Sequence, residues 1–285
     1  MLYNEYQINI FTATGLSKNA DKENEDLKYT YELHDDFSIF PTYANLLSDQ
    51  MMLKKVQKLE GIPAFNLNQL LHAEQLMYFQ KPLNHEQKYK ISGTMKDIQD
   101  KTSGILITYE ININEYDDES KKIGDLAVRE VISVFIRGLG GSQFKGTGFN
   151  QSLEQIPKTP KTEPDFVQEQ YIDLNLPVLH RLAGDKNPIH IDPKNASKVG
   201  FKFPIVHGMN TYAIALKIIL KQYLALDDSQ VEKFHARFTG FVYPGETLIY
   251  KFWKQGNTFL IDVENKERKT NILKGYIKIK ESAKL

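Results

Sequence analysis

Residues 209 to 224, MNTYAIALKIILKQYL, leave little freedom in how a chain that carries them can fold. Met209, Tyr212, Ala213, Leu216, Leu220, Tyr223 and Leu224 recur at helical spacing. Ile214, Ala215 and Ile218 fall on the remaining faces, so only a narrow stripe of Asn210, Lys217 and Lys221 is polar. A helix apolar nearly all round must be wrapped by other structure. The longest apolar segment, AIALKIIL, is interrupted by Lys217 and falls far short of the roughly 20 residues a membrane span needs. Protein, not lipid, is expected to do the wrapping.

The wrapping material follows directly. HARFTGFVY, GETLIYKFW, NTFLIDV and KGYIKIK read as strands, separated by turns at Gly245, at Gln255-Gly256 and in a charged loop. One buried helix followed by antiparallel strands that curl around it is the hotdog arrangement. In the first half, GILITYEININ and REVISVFIR are strands, and HAEQLMYFQKPL echoes HARFTGFVYPGE with His-Ala first and Pro nine or ten residues on. The expected class is therefore α+β, a double hotdog of two antiparallel sheets each curled around a helix. Residues 42 to 75 are less helical than 208 to 224 and contain GIP, so the N-terminal central helix is expected to be reduced or displaced. The domains read as a pocket-shaping, non-catalytic unit over 1–145, a linker over 146–166 and a catalytic unit over 167–285. Pro157, Pro160 and Pro164 mark the linker as a stiff connection, although its P-x-x-P spacing is also that of an SH3 ligand.

Charge and composition exclude several functions. Lys plus Arg and Asp plus Glu number 36 each, so no global field points to nucleic acid or an acidic membrane. No cysteine is present, which removes disulfides, thiolate metal sites and a cysteine nucleophile, and fits a reducing compartment. The opening MLYNEYQINIFTATG lacks a basic segment followed by an apolar one, so a secretory signal is not expected. The glycine-rich run that begins at Gly138 has no GK[ST] and carries Gln143 where a dinucleotide fingerprint places its third glycine. A flexible strand exit is the better reading. The last three residues, Ala283, Lys284 and Leu285, resemble a peroxisomal address of the S-K-L type.

The chemistry concentrates in two short stretches. In LAGDKNPIHID, Gly184 permits an unusual backbone angle and Pro188 stiffens the chain, so Asp185 and His190 can be held by the main chain. Asp192 before Pro193 reads as the cap of a short helix and hence as structural. A loop whose polar groups satisfy only its own backbone is the competing reading. Downstream, in FPIVHGMN, Gly208 falls at the N-terminus of the apolar helix, where unpaired N–H groups and the helix dipole favour an oxyanion. A carboxylate, an imidazole and an oxyanion donor are the parts needed to add water to, or remove it from, the carbon β to a thioester. His190 and His207 could instead form a two-histidine metal site, but zinc sites commonly show tighter, regular spacing, and no metal is expected.

LAGDKNPIHIDP followed by GFKFPIVHGM resembles the signature of the MaoC-like hotdog enzymes, the (R)-specific 2-enoyl-CoA hydratases. LKYTYELHDDFSIFPTYAN, LLHAEQLMYFQKPL and DKTSG are similar to the first hotdog of the eukaryotic two-domain, peroxisomal type, so the resemblance spans about residues 10 to 280. It implies Asp185 and His190 as the catalytic pair, Asn187 as orienting the water or its partners, Gly208 N–H as the thioester-oxygen donor and Glu32 as a further residue needed for activity. For CoA thioester binding it implies His72, Ala73, Lys101 and Phe238; Ala73 and Thr102 stand where the family pattern has glycine. It further implies reversible hydration of trans-2-enoyl-CoA to (3R)-3-hydroxyacyl-CoA in peroxisomal β-oxidation, with no cofactor beyond the CoA of the substrate. The implied partners are an acyl-CoA, a peroxisomal import receptor reading Ala283, Lys284 and Leu285, and a second copy in a homodimer, with neither nucleic acid nor membrane. An acyl-CoA thioesterase of the same fold and a catalytically silent acyl-CoA-binding module are the alternatives.

Overall fold

The structure, a computed structural model, describes residues 26–57, 59–141 and 143–281. Ala283, Lys284 and Leu285, and with them the expected import signal, lie outside the described residues.

Stretches rich in β-branched and aromatic residues form nine strands: β1 Leu70–Phe79, β2 Tyr89–Asp100, β3 Gly104–Asp117, β4 Lys122–Arg137, β5 Phe166–Tyr171, β6 Val231–Phe238, β7 Thr247–Gln255, β8 Thr258–Asn265 and β9 Asn271–Ile279. They join in one antiparallel sheet of order β2-β3-β4-β1-β6-β9-β8-β7-β5. The order contains one connectivity twice. Four strands of each half repeat it: β1 pairs with β4, followed by β3 and β2, and β6 pairs with β9, followed by β8 and β7, with β5 added at the edge beside β7; β1 and β6 pair with each other. Leu76 stands opposite His235 and Met77 opposite Phe234 at that junction. The echo between HAEQLMYF and HARF in the sequence is thus the seam of the doubled sheet.

Six α-helices and three one-turn 3₁₀ helices complete the described residues; the α-helices are α1 Leu27–Thr30, α2 Tyr43–Val56, α3 Phe149–Ser152, α4 Leu176–Leu182, α5 Pro193–Lys198 and α6 Gly208–Tyr223. Helix α6 is the predicted apolar helix, and an unbroken run of it from Met209 to Leu220 is buried. Tyr212 stacks on Phe234 of β6 with ring centroids 3.6 Å apart and donates its hydroxyl to the Phe234 carbonyl at 2.8 Å. Its polar stripe is also engaged. Lys217 Nζ lies 2.8 Å from Asp26 Oδ2 just before α1, and Asn210 bonds to His180.

The first half retains a helix of its own. Helix α2 is 14 residues long against 16 for α6, and GIP follows its end instead of interrupting it. It seats partly through polar contacts: Ser48 Oγ donates to Glu130 Oε2 at 2.5 Å, and Asn45 approaches Gln75 Oε1 at 3.5 Å. The reduction expected from the sequence is therefore one of length and apolar packing. Between Arg137 and Phe166 the described residues hold only α3, tied to both halves: Thr147 N–H donates to Asp97 at 2.7 Å, and Glu154 pairs with Lys233 at 2.5 Å.

Candidate active site

Both predicted stretches meet on one cavity of about 610 Å³, the size of a small-molecule site. Its wall combines Asp185, Asn187, His190 and Gly208 from the second half with His72 and Leu53 from the first.

Local backbone chemistry sets each group. Gly184 adopts φ +128°, a conformation that L side chains rarely adopt, and turns the chain out of α4 into Asp185. Asp185 Oδ1 accepts the Asn187 N–H at 2.7 Å, and its Oδ2 lies 3.3 Å from His207 Nε2. Asn187 caps a one-turn 3₁₀ helix, Pro188–His190, by accepting the Ile189 N–H at 3.2 Å. Its Oδ1 is thereby engaged, and its Nδ2 hydrogens remain to be offered to the cavity. That turn presents His190, whose Nδ1 is 2.8 Å from the Ile205 carbonyl. A carbonyl only accepts, so Nδ1 carries the proton and Nε2 is left as the basic lone pair. Asp192 caps α5 through the Lys194 N–H at 2.9 Å, the structural role read for it from sequence.

Gly208 opens α6, where the first N–H groups have no helical partner. The Phe238 ring lies against it: a Cβ at position 208 would come within 3.0 Å of Phe238 Cδ1. Phe238 in turn packs on His72, with ring centroids 4.9 Å apart. His72 reaches the cavity because β1 shifts register between His72 and Glu74, a bulge at Ala73 of the kind that re-aims side chains beside active sites. Ala73 also lines the cavity. Burial pushes the His72 pKa down to about 4, so this imidazole is neutral at physiological pH.

Two expected residues stand apart from the cavity wall. Glu32 is exposed, in the turns that follow α1, beside Tyr31 and Leu33, which are exposed as well. Lys101 is exposed in the turn between β2 and β3 and borders a smaller polar cavity with Gln99, His235 and Arg237. Each lies at a turn, and the turn's own geometry points the side chain to solvent or to a different wall.

The structure adds two histidines. His180 of α4 stacks on His207 with centroids 3.7 Å apart and planes 10° from parallel; His190 stacks on the other face of His207, also at 3.7 Å. All three are neutral. Burial is the main cause of the lowered pKa in each, with His207 adding to it at His180 and His190 at His207, while Asp185 works in the opposite direction at His190. His207 had a visible signal, being next to Gly208. His180 had a fainter one: Leu176, His180 and Ala183 are spaced as one buried helical face. His180, Asp185 and His207 place ligand-type atoms within 4.8 Å of one another. The two imidazole planes are nearly parallel and separated by their stacking distance, so their lone pairs do not converge on the single point a tetrahedral ion requires.

What the arrangement offers is a carboxylate and a neutral imidazole base flanking one face of the cavity, with an unpaired helix N–H beside them. Comparisons with known proteins identify the family. Residues 155–275 match the model of the MaoC like domain, and residues 3–138 match that of the MFE-2 hydratase 2 N-terminal domain. The chain is 35% identical over 256 residues to a mouse peroxisomal multifunctional enzyme type 2, covering 90% of this chain but only 33% of that protein. The chain thus spans about a third of that relative's length. It is 31% identical to the Arabidopsis thaliana enoyl-CoA hydratase 2, peroxisomal, covering 98% of this chain and 90% of that one. A crystal structure of a MaoC-like dehydratase from Phytophthora capsici superposes with a TM-score of 0.82 at 27% identity, covering 98% and 93% of the two chains.

Proposed function

The chain belongs to the MaoC-like enoyl-CoA hydratase 2 family, and from that premise we propose that it reversibly hydrates trans-2-enoyl-CoA to (3R)-3-hydroxyacyl-CoA. The observation that carries this reading is the orientation of His190. With Nδ1 committed to the Ile205 carbonyl, Nε2 faces the cavity as a base, beside Asp185 and on the same wall as Gly208.

The thioester carbonyl accepts from Gly208 N–H, which stabilises the negative charge that develops there as C3 is attacked. Loss of a donor of this type costs about 3 kcal/mol. Asp185 and His190 Nε2 hold one water between them. As its oxygen bonds to C3, one of its protons passes to this pair, and a proton is delivered from the pair to C2. The net change is one water added across the C2–C3 bond, and the reverse path eliminates it. Phe238 and His72 form an apolar, neutral wall that suits the thioester better than a charged one. No step calls on a redox group or metal ion, and CoA enters as part of the substrate.

Both relatives are named as peroxisomal, which supports a peroxisomal location, and hydration of an enoyl-CoA there fits a step of fatty-acid β-oxidation. A homodimer remains the family expectation. The test is to incubate the pure protein with trans-2-decenoyl-CoA and to resolve the product chirally. (3R)-3-hydroxydecanoyl-CoA is expected. A (3S) product, free CoA with fatty acid as from a thioesterase, or binding without turnover would each overturn the proposal.

A further inference from the structure

The stacked histidines hold a residue that the hydration scheme does not use. His180 is buried and never touches the reacting atoms in that scheme, yet it stands at the joint between the two catalytic segments. Helix α4 ends at Leu182, three residues before Asp185. Helix α6 begins with the oxyanion donor Gly208 and carries Asn210 in its first turn. His180 Nδ1 lies 2.8 Å from Asn210 Oδ1, and both side chains are buried. The amide oxygen only accepts, so His180 Nδ1 is the donor and its tautomer is fixed. On its face lies His207, 3.7 Å away, and beyond that His190 at the same spacing. Among the described residues His207 Nδ1 has no hydrogen-bond partner, and its Nε2 has the 3.3 Å approach to Asp185 Oδ2.

We infer that His180 is a positioning residue for the hydration: its bond to Asn210 and its stack on His207 hold the Asp185–His190 loop in register with the N-terminus of α6. The inference rests on the function proposed above. Its logic is geometric. Asp185 Oδ1 is fixed from within its own loop by Asn187, but Oδ2 is steered from outside by His207. The backbone sets where the His207 ring starts, and the rings of His180 and His190 sandwich it at 3.7 Å on each side. His190 is held from its own loop through the Ile205 carbonyl, and His180, held by Asn210, braces the other face. Packing alone would be met by any flat ring at position 180. The bond to Asn210 is what a flat apolar ring cannot supply.

The test uses His180→Phe, which keeps a ring and removes the donor; His180→Asn, which removes the ring and offers an amide donor near the Nδ1 position; and Asn210→Ala, which removes the acceptor. Each is assayed for kcat and KM with trans-2-decenoyl-CoA, for Tm, and by ¹⁵N NMR of the histidine rings. Misplacement near an ångström can cost up to about 100-fold in rate, so His180→Phe is expected to lose about 10- to 100-fold in kcat with KM within about twofold. His180→Asn recovers part of the loss, Asn210→Ala loses a similar amount, and the Phe and Ala changes combined cost no more than either alone. The His207 ring resonances shift in His180→Phe and Asn210→Ala. Wild-type kcat together with unmoved His207 resonances in both single variants overturns the inference. So does a loss of kcat that merely tracks Tm across all three, which would mark a packing role. A wild-type protein that fails to hydrate enoyl-CoA removes the function proposed above; His207 resonances that still respond to both variants then keep the positioning link, and resonances that do not respond remove it too.

Discussion

His190 can serve as a base only because the Ile205 carbonyl occupies its other nitrogen. Asp185 is likewise prepared, with one oxygen held by the Asn187 N–H. Asp185→Asn keeps that acceptor, so the fold is expected to persist with an unchanged melting curve. Activity should fall by about 10²- to 10⁴-fold, the usual worth of a positioned acid/base group, measured as kcat/KM for enoyl-CoA hydration. Full activity would remove Asp185 from the mechanism. His72 permits a different experiment. In the unfolded chain its imidazole takes up a proton near pH 6.5, whereas in the fold it does so only at about pH 4. Below pH 6.5 the unfolded state therefore binds more protons, and the stability His72 contributes at neutral pH is lost as pH falls from 6.5 to about 4. His72→Phe should make the fall in unfolding free energy between pH 6 and 5 shallower, by up to about 1.4 kcal/mol per pH unit. An unchanged slope in urea titrations at the two pH values would contradict a neutral His72. At this scale the sequence was legible where a side chain's setting is local. Asp185, Asn187 and His190 are held by neighbours two residues away or by a bond to the adjoining segment, and Gly184 and Pro188 announce them. His180 was not legible as functional, because its partner Asn210 lies 30 residues on and only the packing of α4 on α6 brings them together.

Helix α6 is the element that the sequence described best, since a run apolar on nearly every face has few ways to be buried. Its three polar positions were readable as a stripe, but not their purpose. Asn210 turns out to serve His180, and Lys217 pairs with Asp26 at 2.8 Å where both side chains are about nine-tenths buried. Burial lowers the Lys217 pKa, and the Asp26 carboxylate partly offsets that. Breaking a buried pair from one side leaves a charge without its partner, typically at a cost of about 3 kcal/mol or more. Asp26→Ala is thus expected to lower the unfolding free energy by about that amount, read from urea denaturation at pH 7. A change below about 0.5 kcal/mol would mean that the bridge is solvent-screened like a surface pair. Helix α2 was harder to read. Asn45 and Ser48 interrupt its apolar face, and their burial is satisfied by Gln75 and Glu130 on strands that the sequence gives no reason to pair with them. The helix therefore looked weaker on paper than it is.

At the scale of the molecule, one sheet joins two copies of the same connectivity at β1 and β6, and the cavity lies where the two halves share walls. The duplication was audible in the His-Ala echo, but which strands would form the seam was not, because pairing between the halves depends on contacts more than 150 residues apart. In the proposed mechanism the reacting groups come from one half alone: Asp185, His190 and Gly208 all follow residues 146–166 and line the cavity. The other half contributes His72 and Ala73 beside the thioester site, and from α2 the apolar Met52 and Leu53. Because α2 supplies part of the wall, an acyl chain bound in this cavity would meet it, and that wall should set how long a chain is accepted. Leu53→Trp extends it inward at a partly buried position on the first half's side of the cavity. A misfit of this kind in an apolar pocket costs about 1–3 kcal/mol, or roughly 10- to 200-fold. The expected result is a rise of about tenfold in KM for trans-2-hexadecenoyl-CoA, with trans-2-butenoyl-CoA unaffected and the (3R) outcome unchanged. Equal effects on both substrates would place the acyl tail elsewhere, and no effect on either would remove α2 from the specificity of the enzyme.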